Sequence, residues 1–313
     1  MSLITVVICT HNRAGLLART IASLNAARRL AEGAEILVVA NCCSDGTQRT
    51  LDDAAQASDG LPLRLLAEPA KGKSHALNLA LRAVRTPLVA FVDDDQRVDP
   101  GYLQAICQTA QSAPDAALIC GQLLPDWDSS EPAWVHDQGP YRIYPLPVPH
   151  FDLGPQPQWL TPDTELPSGG NIVVRRAWIE RIGPFSTELG PVGHDLGGAE
   201  DSEWFLRALR LGAKLLYSPT IVQRHHIEHE RLRLSYLLRM TYRRTASNVS
   251  MQSTTPYQGG VPLWAYRKLV RYAFLALASF GAARRRFFMM RCAATLGEIE
   301  GCRRAVKGQL GAN

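Results

Sequence analysis

Short apolar runs alternate with amphipathic stretches along the first 125 residues of the chain. The runs are of strand length and almost wholly apolar, which is typical of parallel strands that are covered on both faces. The predicted strands are 2–9, 34–40, 61–67, 88–92 and 116–124. The stretches between them predict helices at 13–27, after Asp45, from Lys73 and at 99–111. This alternation predicts an α/β fold with a doubly wound parallel sheet.

Three polar turns follow predicted strands at one edge of this sheet. They are residues 10–13, 41–47 and 93–95. In doubly wound sheets, ligands bind outside the carboxyl ends of the strands. We therefore expect the functional side chains of the first half of the chain to lie in these turns.

The third turn consists of three consecutive carboxylates, Asp93, Asp94 and Asp95. Adjacent carboxylates repel one another unless a cation lies among them. A hard divalent ion such as Mg²⁺ or Mn²⁺, shared with substrate phosphates, suits a D-x-D at the end of a buried strand. A solvated acidic turn is the simpler alternative. The triplet alone does not choose between the two.

The region from Pro125 to Pro167 holds ten of the twenty prolines of the chain, with five tryptophan and tyrosine residues among them. This proline content excludes a regular helix or a central strand, so we predict a long loop region beside the sheet. Its aromatic side chains would suit stacking on a sugar or lipid acceptor, or they pack the loop down. They are Trp127, Trp134, Tyr141, Tyr144 and Trp159.

Two groups of polar residues in the next hundred positions are candidates for chemistry. Glu200 and Asp201 follow a glycine-rich loop at 190–198 and begin a predicted helix that runs to about Leu211. Acidic residues in a first turn can simply complement the helix dipole. His225 and His226, with His229 close by, are candidate metal ligands. A predicted strand at 213–217 lies between the two groups.

The charge of the chain is unevenly distributed. The whole chain carries +5, but residues 224–313 have 16 Lys and Arg against 4 Glu, a net charge of +12, which leaves −7 for residues 1–223. The basic part is predicted to be mostly helical and contains an uncharged stretch, 272–283, flanked by arginines. An amphipathic helix on an anionic membrane and a core helix both fit this pattern. Twelve residues are too few to span a bilayer, which takes roughly 20.

The seven cysteines are scattered and show no C-x-x-C pair, so we interpret them as reduced. The N-terminal apolar run is only of strand length and has no basic segment before it. It therefore does not resemble a signal peptide. Together these features predict a cytoplasmic protein.

Five short segments, in this order, resemble the family 2 glycosyltransferases of the GT-A fold. They are VVICTHNR at 6–13, VVANCCSDGT at 38–47, KGKSHALN at 71–78, FVDDD at 91–95 and GAED at 198–201. Each motif is weak alone, but the ordered series is specific. The resemblance implies a GT-A doubly wound, mostly parallel, Rossmann-like sheet with helices on both faces, followed by a C-terminal helical basic extension.

The resemblance also implies a division of the chain into three parts. Residues 1–124 would form the half that binds the nucleotide sugar, and 125–229 the half that binds the acceptor and carries the catalytic acid. Residues 230–313 would be the helical basic region. The implied activity is a metal-dependent, inverting transfer of a sugar from a nucleotide diphosphate to an acceptor hydroxyl, in surface polysaccharide or glycolipid synthesis.

The resemblance assigns roles to individual residues as follows. Asp201, with Glu200 as the alternative, would be the general base. Asp95 and Asp93, with His225 or His226, would hold the Mn²⁺ or Mg²⁺ ion that neutralises the leaving diphosphate. The nucleotide sugar would be contacted by Thr10, Asn12, Arg13, Asn41, Asp45, Lys71, Lys73, Asn78, Asp93 and Asp94.

One departure from the family concerns the donor nucleotide. Many relatives carry an aspartate near the end of the second strand that pairs with uracil, where this chain has Ala40 and Asn41. The identity of the nucleotide is therefore open. The expected acceptor is a glycan or a lipid-linked molecule, and the basic region suggests peripheral contact with an anionic membrane on the inner face of the cell membrane.

Two other functions share some of these features. A sugar nucleotidyltransferase also uses acidic metal ligands on a nucleotide-binding sheet, but it normally has a glycine-rich basic loop after the first strand, and residues 10–13 are not such a loop. A nucleic-acid-binding protein could use the basic region, which lacks an aromatic-basic RNA motif. We therefore expect no nucleic-acid partner.

Overall fold

The computed structural model describes residues 2–31, 33–144, 146, 148–188, 200–252 and 261–310. The predicted glycine-rich loop at 190–198 and the first two residues of the GAED motif lie outside them. Contacts divide the chain into two compact units, Met1–Asp126 with Pro149–His226, and Trp127–Val148 with Ile227–Asn313. The division into donor, acceptor and C-terminal parts stays a prediction.

The first unit is built on a sheet. In the described residues its strands are β1 (Ile4–Thr10), β2 (Ala34–Asn41), β3 (Leu63–Glu68), β4 (Leu88–Val92), β5 (Gln96–Val98), β6 (Leu118–Asp126), β7 (Gln158–Leu160), β8 (Asn171–Arg175) and β9 (Leu215–His226). The spatial order is β3-β2-β1-β4-β8-β6-β9-β5, and β7 pairs with β9. Six strands run in one direction, whereas β5, β7 and β8 run the other way. The predicted, mostly parallel sheet is confirmed.

Helices cover both faces of this sheet. In the first unit they are α1 (Ala14–Ala26), α2 (Thr47–Ala55), α3 (Lys73–Ala83), α4 (Tyr102–Ser112), α5 (Arg176–Ile182) and α6 (Glu200–Arg210). Successive residues of β1 face opposite layers, since Ile8 packs in the same cluster as Leu17 of α1 and Val7 in that of Leu77 of α3. Burial on both faces explains why these strands are continuous apolar runs.

Strands β9 and β5 differ from the sequence-based expectation. β9 continues to His226, nine residues beyond the predicted end at Tyr217, and β5 was not predicted. Proline and polar residues argue against a strand, but β9 accommodates Pro219 near an irregularity in its pairing with β6. At that irregularity a Cβ on Gly121 would lie 2.0 Å from the carbonyl oxygen of Ile221, so only glycine allows this approach.

The proline-rich region is less uniform than predicted. It contains a short 3-10 helix at Ala133–His136, and β7 adds a short strand that pairs with β9. Trp127 and Trp134 pack around a small buried cluster with Val135. Trp159 is 50% exposed. Packing therefore accounts for two of the tryptophans, whereas Trp159 is half exposed and has Lys214 Nζ 5.9 Å from its ring centroid.

The second unit is mainly helical, with α7 (Leu234–Gln252), α8 (Leu263–Leu277) and α9 (Ala282–Leu310). Gly297 and Gly301 of α9 let α7 approach closely, because a Cβ at Gly297 would lie 2.5 Å from the carbonyl oxygen of Tyr242. The C-terminal helical extension is confirmed. No helix among the described residues is both long enough and apolar enough to cross a membrane.

The prediction of one helix over residues 272–283 was wrong. α8 ends at Leu277, α9 begins at Ala282, and Gly281 between them has a φ of +100°. A glycine takes this backbone conformation at little cost, and it marks the turn between the two helices. The uncharged run therefore consists of the end of one helix, a turn and the start of the next.

Candidate active site

The first and third polar turns form one hydrogen-bonded network, because β1 lies between β2 and β4 in the sheet. Thr10 Oγ1 donates a hydrogen bond to Asp94 Oδ2 at 2.7 Å. Arg13 Nη1 lies 3.1 Å from Asp94 Oδ1 and 2.9 Å from Asp95 Oδ2. From α1, Thr20 Oγ1 donates to the backbone carbonyl of Asp94. The sheet thus brings Thr10 and Arg13 to the acidic triplet.

Asp94, the middle carboxylate, is almost completely buried. Burial and the charge of Asp95 raise the pKa of Asp94 to about 6, although Arg13 and the Thr10 hydroxyl act against this shift. Both carboxylate oxygens of Asp94 already accept hydrogen bonds from the protein. Its contacts therefore hold the two turns together.

Asp93 is paired with Lys73, which begins α3. The distance from Lys73 Nζ to Asp93 Oδ1 is 2.8 Å. Burial opposes ionisation of Asp93, but the charge and hydrogen bond of Lys73 outweigh it and lower the pKa of this carboxyl. Burial also opposes ionisation of Lys73 and by itself would lower the pKa of this amine. The charges of Asp93 and Asp201 outweigh burial and raise the pKa of Lys73 well above its ordinary value. The pair is therefore ionised at neutral pH.

Asp95 faces His225, at the end of β9. Asp95 Oδ1 is buried, lies 3.3 Å from His225 Nε2 and makes no well-formed hydrogen bond. His225 Nδ1 lies 2.7 Å from the carbonyl oxygen of His226. A carbonyl oxygen can only accept, so Nδ1 carries a proton, and Nε2 is the ring nitrogen that faces Asp95. A carboxylate oxygen and an imidazole nitrogen thus face the same point.

The pair of atoms formed by Asp95 Oδ1 and His225 Nε2 fits a divalent metal ion. Carboxylate oxygens are preferred ligands of Mn²⁺ and Mg²⁺, and imidazole is a common metal ligand in proteins. Mg²⁺ in particular takes few protein ligands and is completed by water and substrate phosphates. The described residues contain no group of three or more His, Cys, Asp or Glu side chains arranged as a preformed metal site. A metal here would therefore need further ligands from water or a bound substrate. The backbone hydrogen bond on His225 Nδ1 is the kind that orients a metal-binding imidazole.

His226, the second candidate, is placed differently. Its backbone N–H donates to the backbone carbonyl of Asp95 at 2.8 Å. Its Nδ1 lies 3.4 Å from Nη1 of Arg19. An arginine is always charged and repels a cation, so this ring is the poorer ligand.

The downstream acid Asp201 lies in the first turn of α6 and faces the same part of the sheet. Asp201 Oδ2 accepts the backbone N–H of Gly169 at 2.9 Å, whereas the buried Oδ1 has no hydrogen-bond partner. Burial raises the pKa of Asp201, and Lys73 opposes this shift. Glu200 is also buried and its pKa is raised, chiefly by burial and then by Asp201. A small pocket is lined by Asp201, Lys73 and Asp93, together with Cys9 and Gly169.

Two adjacent glycines make room for the carboxylates of this pocket. A Cβ on Gly169 would lie 2.2 Å from the carboxylate of Asp201, and a Cβ on Gly170 would lie 2.2 Å from Asp93 Oδ2. Contacts of that length do not occur, so each glycine admits one acid. Adjacent glycines can allow close backbone approach to a ligand or form a tight turn. In the structure the groups that approach are side chains of the protein.

The polar groups of the second turn make hydrogen bonds mainly with other residues of the protein. Asn12 Oδ1 accepts the backbone N–H groups of Ser44 and Asp45, and Asp45 Oδ2 accepts that of Ala14 at the start of α1. The hydrogen bond from the Thr47 hydroxyl is the largest effect on the pKa of Asp45, which is lowered. These contacts join the first and second turns.

Two predicted donor contacts, Asn41 and Asn78, are buried and bonded to the backbone. The side chain of Asn41 bonds to the carbonyls of Glu68 and Ala70 and to the N–H of Gly72. That of Asn78 exchanges two hydrogen bonds with the backbone of Phe185.

Lys71 is exposed in the loop before α3. Of the three residues in the KGKSHALN motif that were predicted to contact the nucleotide sugar, Lys71 is the one with an exposed side chain.

Gln96 was missed by the sequence analysis. Its Oε1 accepts the backbone N–H of Asp93, and its buried Nε2 has no hydrogen-bond partner. The available signal was its position three residues after Asp93, where a polar side chain can close a turn. Thr20, which holds the Asp94 carbonyl, was missed because it lies inside a predicted helix.

Solved structures similar to this chain include glycosyltransferases of the GT-A class. The mannosyltransferase PcManGT of Pyrobaculum calidifontis, solved with GDP-Man and Mn²⁺, matches 94% of this chain and 86% of its own with a TM-score of 0.56 and 18% identity. TarS of S. aureus, solved with UDP, matches 100% of this chain and 92% of its own with a TM-score of 0.57 and 13% identity. The chain has the GT-A fold.

The sequence gives the family directly. Residues 5–183, more than half of the chain, match the model of Glycosyl transferase family 2. The chain belongs to this family. It is 21% identical over 238 residues to the glucosyl-dolichyl phosphate glucuronosyltransferase of Haloferax volcanii, covering 75% of this chain and 72% of the relative. It is 24% identical over 238 residues to the succinoglycan biosynthesis protein ExoM of Rhizobium meliloti, covering 75% and 71%.

Proposed function

We propose that this family 2 glycosyltransferase is metal-dependent and inverting, and that it moves a sugar from a nucleotide diphosphate to an acceptor hydroxyl. The observation that carries the proposal is the placement of two separate acidic groups at one edge of the sheet. Asp93, next to Asp95, and the downstream Asp201 line or adjoin the same pocket. A displacement reaction needs one group for the leaving diphosphate and another for the attacking hydroxyl.

The metal would be held by Asp95 and His225, with Asp93 as a further ligand through its carboxylate or through water. The buried Asp95 Oδ1 without a hydrogen-bond partner supports this assignment. When bound, a divalent ion neutralises charge on the diphosphate as it leaves. Lys73 holds Asp93 in place at 2.8 Å and adds positive charge beside the phosphates. Mn²⁺ is the first ion to test, because PcManGT was solved with it.

Asp201 would act as the general base, and Glu200 is the alternative. Asp201 Oδ2 is oriented by Gly169 N–H, and Oδ1 remains to accept the proton of the acceptor hydroxyl. A base works best when its pKa lies nearer the operating pH than that of an ordinary aspartate, and burial shifts Asp201 in that direction. A single in-line displacement assisted by one base inverts the anomeric configuration.

The remaining predicted contacts would shape the nucleotide site. Arg13 and Lys71 supply positive charge, and Lys71 is exposed. The others, which are bonded within the protein, would bind the nucleotide through the turns that they order. These are Thr10, Asn12, Asn41, Asp45, Asn78 and Asp94.

The acceptor is proposed to be a glycan or a lipid-linked molecule at the cytoplasmic face of the membrane, in surface polysaccharide or glycolipid synthesis. The names of two relatives support this, since one acts on a dolichyl phosphate derivative and the other belongs to succinoglycan biosynthesis. The exposed Trp159 is a candidate for stacking on an acceptor sugar.

A donor screen tests the function. The melting temperature is measured with UDP-, GDP- and dTDP-sugars, each with Mn²⁺ and with a chelator. At least one nucleotide sugar should stabilise the protein, and more strongly with the metal, because a ligand that binds the folded state raises its stability. If no nucleotide sugar stabilises the protein in either condition, the proposal is wrong.

Donor binding and sugar transfer, measured on variants of Asp201 and Glu200, distinguish the general base from the residues that bind the donor. Asp201→Asn keeps the shape of the side chain and should bind the donor normally, while release of nucleoside diphosphate falls by roughly 100-fold or more. Glu200→Gln is the matched control and should retain most of the rate. The reverse result would assign the base to Glu200.

A further inference from the structure

Helix α8 packs against α9 along one side and leaves large apolar side chains in solvent on the other. At 100° per residue, Leu263, Val270, Phe274 and Leu277 fall within an arc of roughly 60°. Their side chains are 75%, 69%, 68% and 87% exposed. We call these four residues the apolar row. The opposite side of the helix is covered, as the buried Ala265 shows.

The apolar row continues into the turn after α8. Phe280, in the turn, is 95% exposed, and Tyr266 and Trp264 are also exposed beside the row. Single exposed apolar residues are common on any protein. A contiguous set of this size on one helix usually marks a binding surface.

The charge beside the row has one sign. Residues 261–297 contain seven Lys and Arg and no Asp or Glu. Arg267 and Arg271 follow the row along one side of α8, are exposed, and make no ion pair with a described residue. Lys268 and Arg286 are already held in ion pairs, with Glu298 and Asp137. The surface thus offers an apolar strip with free positive charge along its edge.

We propose that α8 lies in the headgroup region of an anionic lipid bilayer, with the apolar row inserted and Arg267 and Arg271 on lipid phosphates. An amphipathic helix with basic residues beside its apolar face binds such surfaces through buried apolar area and electrostatic attraction. At 1.5 Å per residue the helix is about 22 Å long, and its charged residues lie mid-helix, so it lies along the surface.

Charge favours the membrane over a second copy of the chain. A two-fold dimer through this face would place the same basic residues of both copies against each other, and like charges across an interface oppose association. An anionic bilayer complements both features. This proposal rests on the second unit alone and is independent of the proposed function.

Vesicle flotation tests it with the full chain. Vesicles of phosphatidylglycerol and phosphatidylcholine in a roughly 1:2 ratio are compared with pure phosphatidylcholine. The chain should float with the anionic vesicles, and binding should weaken as salt is raised. Failure to float with anionic vesicles at low salt would overturn the proposal.

Two variants locate the surface. Phe274→Ser with Leu277→Ser should lower the partition coefficient by roughly tenfold or more, since two inserted side chains are lost. Arg267→Glu with Arg271→Glu should abolish the preference for anionic lipid. Control variants on the first unit, Leu211→Ser and Arg49→Glu with Arg210→Glu, remove comparable exposed groups and should bind as the unmodified chain does.

A local signal completes the test. Trp264 lies beside the apolar row and is half exposed, so brominated lipids should quench part of the tryptophan fluorescence, and Trp264→Phe should remove that part. All variants alter exposed side chains and should therefore fold normally. Unfolding curves that match those of the unmodified chain confirm this. Equal binding of the α8 variants and the controls would overturn the proposal. The proposal would also be overturned if the unmodified chain formed a dimer and the α8 variants were monomeric but still bound lipid.

Discussion

Replacing Gly169 by alanine should displace the carboxylate of Asp201 and slow sugar transfer while donor binding is retained. The added Cβ would lie 2.2 Å from the carboxylate, where ordinary contacts begin at 3.4 Å. The carboxylate must therefore move by about 1.2 Å, the difference between these distances. A misplacement of about 1 Å in a reacting group can cost roughly 100-fold in rate. We expect a fall in kcat of that order.

The assay is release of nucleoside diphosphate from whichever nucleotide sugar stabilises the protein, followed at saturating and limiting donor. Gly170→Ala gives the contrast. Its Cβ would meet Asp93 Oδ2 at 2.2 Å and Gln96 Nε2 at 2.8 Å, beside the proposed metal and phosphates. This variant should weaken the binding of donor and metal. Gly169→Ala should change kcat and leave KM for the donor close to its original value.

Gly101→Ala is the matched control, because nothing lies within 4 Å of the Cβ it adds. Its kinetics should be unchanged. Unfolding curves of all three variants show whether lost activity reflects lost folding. If Gly169→Ala folds and keeps its original kcat, Asp201 is either not the base or not held where the structure places it.

Two further predictions concern the metal and pH. His225→Gln should weaken the Mn²⁺-dependent part of donor stabilisation by roughly tenfold or more, measured by Mn²⁺ titration of the melting temperature, whereas His226→Gln should not; equal effects would contradict the assignment. The raised pKa of Asp94 means that the folded state binds a proton more tightly than the unfolded chain, so this contribution to stability is present below about pH 4 and is lost as the pH rises through about 6. A shift of about two pKa units corresponds to roughly 3 kcal/mol at most. The free energy of unfolding, measured with urea at pH 4.5 and 6.5, should differ less between the two pH values for Asp94→Asn than for the unmodified chain. An equal difference in the two proteins would refute the argument.

The fold was predictable where a strand is buried on both faces. The strand Leu88–Val92 was predicted with its observed bounds, because a run of five apolar residues between polar turns has few other interpretations. The end of β9 was not predictable, because Pro219 and the polar residues after it are unfavourable for a strand taken alone. Their place in the sheet depends on pairing with β6, which comes some hundred residues earlier. Such long-range pairing leaves no local signal.

The candidate site was predictable in its components but not in its contacts. The alternation of strands and turns placed the turns at 10–13 and 93–95 on one edge of the sheet, and in the structure Thr10 bonds to Asp94. Nothing in the sequence indicated that Lys73 would pair with Asp93, or that Gly169 would orient Asp201. These contacts depend on the distance between a helix start, a strand end and a turn, which only the folded chain fixes.

The acidic triplet shows why the three carboxylates need not share one task. Repulsion among them suggested a metal, but the protein supplies cations of its own: Lys73 on Asp93, and Arg13 on Asp94 and Asp95. Repulsion alone therefore does not require a metal. What favours one is narrower, namely the single buried oxygen of Asp95 that makes no hydrogen bond and faces an imidazole nitrogen. A buried carboxylate oxygen without a partner is costly, and a cation shared with the donor would remove that cost only when the substrate is bound.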